Sequence, residues 1–146
     1  MEANVILWDT ANTEKGTNAN PVIVSESTYD AARQGATLIS FSIAYNTATS
    51  SAIDLMGYEI AGIQMPAAIN GTSLTFQTST AAAGTYQNLY DDSGSEVTLT
   101  VGTPRNISVN ANAVNLMPWQ HIKVRMGTAA SPATQPETYT WYLVMK

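Results

Sequence analysis

The sequence predicts an all-β protein: a single antiparallel β-sandwich, jelly-roll-like, preceded by an N-terminal extension. Three observations lead to this fold class. Charged side chains make up only 12% of the 146 residues, which is too few for the solvent-facing sides of long amphipathic helices. Apolar and polar residues alternate with a period of two in most segments after residue 35, as in half-buried strands. Turn signals separate these segments at the roughly 8–12-residue spacing typical of sandwiches and barrels.

The first 35 residues differ from the rest, and the predicted division is an arm, 1–35, and a sandwich domain, 36–146. An ordinary first strand with its loop fits this segment, and so does an arm that leaves the domain and packs on a partner. Termini are poorly ordered unless they are tied down, and a tryptophan is a large apolar group to leave unpacked. The candidate contact residues of the arm are therefore Val5, Ile6, Leu7 and Trp8.

The first strands of the domain follow from alternation and from one apolar run. The segment 37–45 places Ile39, Phe41, Ile43 and Tyr45 on one face, which predicts a strand with that face inward. The nearly continuous apolar run 58–65 suits a strand covered on both faces, and Pro66 ends it. The segment 73–78 alternates again and predicts a strand.

The remaining strands are shorter. Short strands are predicted at 87–90, 96–101 and 105–109, where apolar residues again alternate with polar ones. In 96–101 the residues predicted to be exposed are Glu96, Thr98 and Thr100. The segment 121–126 alternates basic with apolar residues, and 138–145 is the final predicted strand, with Tyr139, Trp141, Leu143 and Met145 on its core face.

Charge and composition exclude several classes of function. The formal net charge of −5 is the wrong sign for a nucleic-acid binder. The chain has no cysteine, so disulfides, thiolate catalysis and zinc-thiolate sites are absent. No apolar stretch reaches the ~18 residues that span a bilayer, and the N-terminus lacks the pattern of a secretory signal. We expect neither nucleic acid nor membrane as a partner.

Few residues could carry catalysis. His121 is the only histidine, and Lys123 and Arg125 share its strand face, which predicts a solvent-facing residue and not a general base. The segment 91–94 carries two aspartates that could bind Ca²⁺, but it lacks the spacing of a calcium loop and predicts a turn. Three further acids lie on different strands, so nothing pairs them: Asp54, Glu59 and Glu96. We therefore expect no enzyme activity, no catalytic residues, no bound metal and no cofactor.

Aromatic side chains are the other candidates for binding. Tyr86 and Tyr90 share a face with Asn88 on a short predicted strand, and Trp119 lies in a segment without clear alternation. Exposed rings stack on sugars or pack on proteins. Two interpretations stay open for Tyr86, Tyr90 and Trp119: a carbohydrate-binding platform, or core filling and interface packing.

Four segments of the chain resemble a known family. They are SSAIDLMGYEIAGIQMP at 50–66, LTFQTS at 74–79, GTYQNLYDDSG at 84–94 and HIKVRMGT at 121–128. This run resembles small virion structural proteins of tailed bacteriophages, of the capsid decoration (cement) type. The resemblance covers about 50–128. Relatives carry Asp-Gly before the Thr-Tyr segment, where this chain has AAAG at 81–84.

The resemblance implies a role and a place. It implies a non-enzymatic protein that binds the outer surface of a phage capsid and stabilises the head lattice, after synthesis in the host cytoplasm. It also implies two partners, the major capsid protein and further copies of the chain in a homotrimer. The alternative is a tail- or baseplate-associated β-sandwich that binds a carbohydrate or receptor.

Overall fold

The computed structural model describes residues 37–110, 114, 116 and 118–146, together with the backbone of 7–8 and 14–15. The chain divides into two compact units, 1–35 and 36–146. In the first unit, β1 (Leu7–Trp8) pairs antiparallel with β2 (Glu14–Lys15). The candidate residues Val5 and Ile6 lie outside the described residues, as do the side chains of Leu7 and Trp8.

The described part of the second unit is built from strands and contains no helix. In chain order the strands are β3 (Thr37–Ile43), β4 (Ile53–Asp54), β5 (Ile60–Gln64), β6 (Ser73–Ser79), β7 (Gln87–Asn88), β8 (Thr98–Thr100), β9 (Asn106–Ser108), β10 (His121–Met126) and β11 (Tyr139–Met145). They form two antiparallel sheets. The first sheet has the order β3-β11-β5-β9, and the second has β4-β10-β6, with β7 and β8 both on the free edge of β6.

The chain alternates between the sheets. The strands β3, β5, β9 and β11 belong to the first sheet, and each of them except β11 is followed by a strand of the second. As a result, β11, the last strand, lies between β3 and β5 and pairs with both.

One hydrophobic core joins the inner faces of the two sheets. From β11 it takes Trp141, Leu143 and Met145, all fully buried, and the ring of Trp141 stacks on Phe41 with 5.7 Å between centroids. The second sheet contributes fully buried residues from β6 and β10: Leu74, Phe76, Ile122, Val124 and Met126. The predicted β-sandwich is confirmed, with the alternating residues of both sheets meeting in its core.

Two strands differ from their predicted form. The strand β3 ends at Ile43, and the ring of Tyr45 is 69% exposed, because the backbone turns at Asn46 (φ 58°). The strand β5 covers only Ile60–Gln64; on its outer face Gly62 is buried, whereas Gln64 is exposed. The prediction of a strand covered on both faces is wrong, because only the inner face of β5 packs against the core. Its two neighbours, β11 and β9, lie beside it within the sheet.

Candidate interaction surfaces

The segment from Tyr86 to Tyr90 lies at the edge of the second sheet, beside β6. Its central residues form β7, where Asn88 is the register partner of Gln77. The amide of Gln77 donates a hydrogen bond to the Asn88 side chain at 3.2 Å. Tyr86 and Tyr90 lie two positions on either side of Asn88, so the three side chains point to the same face of the extended segment.

The ring of Tyr86 is already engaged within the protein. Its hydroxyl donates to the carbonyl oxygen of Ala82 at 3.1 Å, and the ammonium of Lys123 lies 4.4 Å from the ring centroid. This distance places the cation within the range of a cation–π interaction. One face of Tyr86 is thereby covered, which leaves it less suited to stacking on a sugar.

Tyr90 and Trp119 have opposite environments. The side chain of Tyr90 is 52% exposed, and its backbone forms an isolated bridge with Glu96. Trp119 is half-buried and packs against the hydrophobic core. Of the three candidate rings, Tyr90 offers an open surface, Tyr86 is half-buried with Lys123 over its ring, and Trp119 packs against the core.

A buried polar cluster, which sequence reasoning missed, holds this part of the second sheet together. Arg125 is only 6% exposed, although it lies on the outer face of β10. Its guanidinium donates to Thr75 Oγ1 at 3.1 Å, to Asn88 Oδ1 at 2.9 Å and to a carboxylate oxygen of Glu96. The carboxylate of Glu96 also accepts the backbone N–H of Ala129 at 3.0 Å. These bonds attach the segment before β8 to the sheet.

Two sequence predictions about charged groups are corrected here. Glu96 was expected to be exposed, yet its side chain retains only 15% of its accessible surface because it pairs with Arg125. His121 was expected to face solvent, yet it is only 8% exposed. The sequence signal for the pairing of Glu96 with Arg125 was their opposite charge, since both are predicted to lie on outward strand faces.

The turn that leads to Glu96 is organised by one carboxylate. An oxygen of Asp91 accepts hydrogen bonds from the backbone N–H groups of Ser93 and Ser95, both at 2.9 Å, and from the Ser93 hydroxyl at 2.6 Å. The hydrogen bond from the Ser93 side chain, followed by that from the backbone of Ser95, lowers the pKa of Asp91 below its usual value. Gly94 completes the turn with a φ of +81°, which agrees with the turn predicted at 91–94.

The outer face of the first sheet is a second candidate surface, and none of the outward side chains within its four strands is charged. The ladder continues beyond β5 and β11 to Glu59 and Lys146, which form an ion pair at the end of this face. Register places three rows on this face: Leu38, Val144, Gly62 and Ser108; Ser40, Tyr142, Gln64 and Asn106; Ser42 and Thr140. Leu38 is 60% exposed and Tyr142 39% exposed. We call these ten residues the neutral face.

A shallow groove runs along β5 in the neutral face because Gly62 has no side chain. A Cβ at Gly62 would lie 3.0 Å from the carbonyl oxygen of Ile107 and 3.7 Å from the Cβ of Val144. The groove has a volume of about 290 Å³, and Gln64 and Asn106 lie at its rim. An apolar side chain from a partner could enter it beside Val144.

The described residues offer little for metal binding. Within them, no group of three or more His, Cys, Asp or Glu side chains could hold a metal ion. In the same part of the chain, no helix has the length and apolar character needed to cross a membrane.

Comparisons with protein-family models, with curated proteins and with solved structures gave no match to this chain.

Proposed function

We propose that this protein is a non-enzymatic structural protein of a tailed-phage virion, which binds the major capsid protein on the outer surface of the head and reinforces the lattice. The neutral face carries the proposal. It combines exposed apolar groups, Leu38 and Tyr142, with hydroxyls and amides, as surfaces that bind proteins do. The resemblance over residues 50–128 gives the class of partner.

The fold supports the same proposal. The strand order β3-β11-β5-β9 opposite β4-β10-β6, with the chain passing repeatedly between sheets, supports a jelly-roll, an architecture found in viral capsid domains. Arg125 and Glu96 form a buried ion pair. This pairing supports a structural role for both residues, because each charge is paired with the other.

The arm is the proposed clamp on the capsid. A two-stranded ribbon is at best marginally stable in water, so the two-residue pairing of β1 with β2 favours a segment that gains stability on a partner. Val5, Ile6, Leu7 and Trp8 would supply the apolar contact, with the strand adding to a partner's sheet. A trimer would present three arms, and linked weak sites raise avidity by about 10²–10⁴.

Binding to undecorated heads tests the proposal. Full-length protein and a variant lacking residues 1–20 are mixed with purified heads and pelleted in low salt and in 1 M salt. We expect full-length protein to pellet in both, since few exposed ion pairs are available for screening, and the truncated protein to stay in solution. Equal binding by both variants would refute the arm as clamp. Absence of full-length protein from the pellets would refute the capsid role.

A receptor-binding role at the tail or baseplate is the second candidate, and the exposed ring of Tyr90 favours it. Immuno-gold labelling separates the two roles. Label over the whole head supports decoration, and label confined to the tail tip supports receptor binding. In the second case, binding to a glycan array should be lost on Tyr90→Ala and kept on Tyr45→Ala, a ring 69% exposed outside the segment from Tyr86 to Tyr90.

A further inference from the structure

We propose that the neutral face binds the neutral face of a second copy of this chain, related by a twofold axis along β11. This contact uses the surface proposed above for the capsid, so the two contacts exclude each other, and it concerns the free protein in solution. Two properties of the neutral face support it, its charge and its register, and its area sets the strength of the contact.

Charge favours a second copy as the occupant. The chain carries a net charge of −5, so most contacts between two copies bring like charges together, and opposed like charges suppress association. The ten outward residues of the neutral face include no Asp, Glu, Lys or Arg. Two copies can meet there without opposing charges at the centre of the contact, and without leaving a buried charge unpaired.

Register makes the face self-complementary. Leu38 on β3, Val144 on β11 and Gly62 on β5 lie in one row across the sheet. The strands β3 and β5 are the two neighbours of β11, one on each side. A twofold axis along β11 therefore places β3 of one copy over β5 of the other, as in an isologous interface where one patch serves both partners.

The protrusion on one side of the axis matches the depression on the other. Leu38, 60% exposed, comes to lie over the groove at Gly62, and the same contact repeats on the opposite side. The groove of about 290 Å³ is far larger than the ~30 Å³ that one water molecule takes in the liquid. It has room for an aliphatic side chain. Tyr142 and Thr140, on the axis strand, each face their own counterpart.

Area sets the strength of the contact. A twofold axis along β11 overlaps β3, β11 and β5 and leaves β9 outside the contact. Strands are about 4.8 Å apart and rise about 3.4 Å per residue, so the overlapping face measures roughly 14 by 24 Å, or about 340 Å² per copy. Standard stable interfaces bury about 800 Å² per partner. The dimer should therefore be weak and should form fully only where copies are concentrated.

Sedimentation equilibrium of the full chain tests the contact, at concentrations from about 10 µM to about 1 mM, where a weak dimer becomes populated. We expect the mass to approach twice the 15.6 kDa of one chain at the highest concentration. Leu38→Asp should raise the Kd at least tenfold, because it places two carboxylates in the apolar contact. Met56→Asp is the matched control, since Met56 is 59% exposed and lies outside the neutral face; it should leave the Kd unchanged.

Cross-linking tests the twofold axis itself. The chain has no cysteine, so a single engineered cysteine reacts alone. Thr140→Cys, exposed on β11, should form a covalent dimer with a bismaleimide that spans the ~10 Å between packed sheets. Met56→Cys should not.

Three results would overturn the proposal. The first is a wild-type protein that stays monomeric at 1 mM. The second is an association whose Kd is the same in Leu38→Asp as in wild type. A trimer that forms in this way would still be compatible with capsid binding. The third is that Leu38→Asp, but not Met56→Asp, lowers the melting temperature of the monomer. The neutral face would then be covered by another part of the same copy.

Discussion

The cluster around Arg125 makes a strong prediction about stability. Glu96→Ala removes the carboxylate that pairs with the guanidinium of Arg125, whose side chain is 7% exposed. The hydrogen bonds to Thr75 and Asn88 remain, but both acceptors are neutral. Glu96→Ala therefore leaves a nearly buried cation without a counter-charge.

The size of the effect follows from burial. Breaking a buried ion pair by removing one partner costs about 3–5 kcal/mol. Glu96 keeps 15% of its side-chain surface, so we expect the lower end, about 3 kcal/mol of unfolding free energy. Glu96→Gln should cost about half as much, ~1.5 kcal/mol, because a neutral hydrogen bond replaces a charged one.

Urea unfolding followed by tryptophan fluorescence measures these values. The matched control is Glu59→Ala: Glu59 pairs with Lys146 at 3.5 Å, with side chains 30% and 58% exposed. Exposed pairs contribute about 0–1 kcal/mol, so this variant should change little. Adding Arg125→Met to Glu96→Ala should restore part of the loss, since the unpaired charge is gone. If Glu96→Ala and Glu59→Ala cost the same, the reasoning is refuted.

Three further predictions concern the core, two glycines and pH. The indole N–H of Trp141 is buried and has no acceptor among the described residues. Trp141→Phe should therefore lower the free energy of unfolding by under ~1.5 kcal/mol in thermal melts, against about 3–5 kcal/mol for Trp141→Ala. A loss above about 3 kcal/mol for Trp141→Phe would contradict this. Gly127→Ala would place Cβ 2.3 Å from the Ser131 carbonyl oxygen and should cost about 3 kcal/mol. Gly94→Ala, with a similar φ and open space, should cost only ~1; equal urea midpoints would refute the steric argument. Hydrogen bonds lower the pKa of Asp91, so its carboxylate stabilises the fold above the unfolded pKa of about 3.9, and this contribution is lost as pH falls through the lower folded pKa. Asp91→Asn should flatten the dependence of stability on pH below about pH 4, and a slope like that of wild type would rule this out.

Local pattern predicted much of the fold. The alternation in 138–145 correctly placed Trp141 and Leu143 in the core, because side-chain direction in a strand follows from position alone. Tyr45 follows the same alternation but is exposed, since the chain leaves the sheet after Ile43. Where a strand ends depends on its neighbours, and the pattern of one segment does not contain that information.

The candidate surfaces were harder to predict. Arg125 meets Thr75 and Glu96 at separations of 50 and 29 residues, so no local motif connects them. Alternation correctly placed Arg125 on the outer face of β10, but it could not indicate that another segment covers that face. The neutral face is likewise a property of four strands together, and only register brings Leu38 and Gly62 into one row.

The place of β11 between β3 and β5 has a consequence for folding during synthesis. Ser42 and Thr140 meet across β3 and β11 although they are 98 residues apart. Because translation delivers β11 after all the other described strands, β3 and β5 leave the ribosome without the strand that joins them. The second sheet can begin to pair earlier, through β6 with β7 and β8. We therefore expect slow closure of the first sheet after translation, as for other folds dominated by distant pairings. Until then the nascent chain exposes open strand edges, which makes aggregation a hazard of its synthesis at high yield.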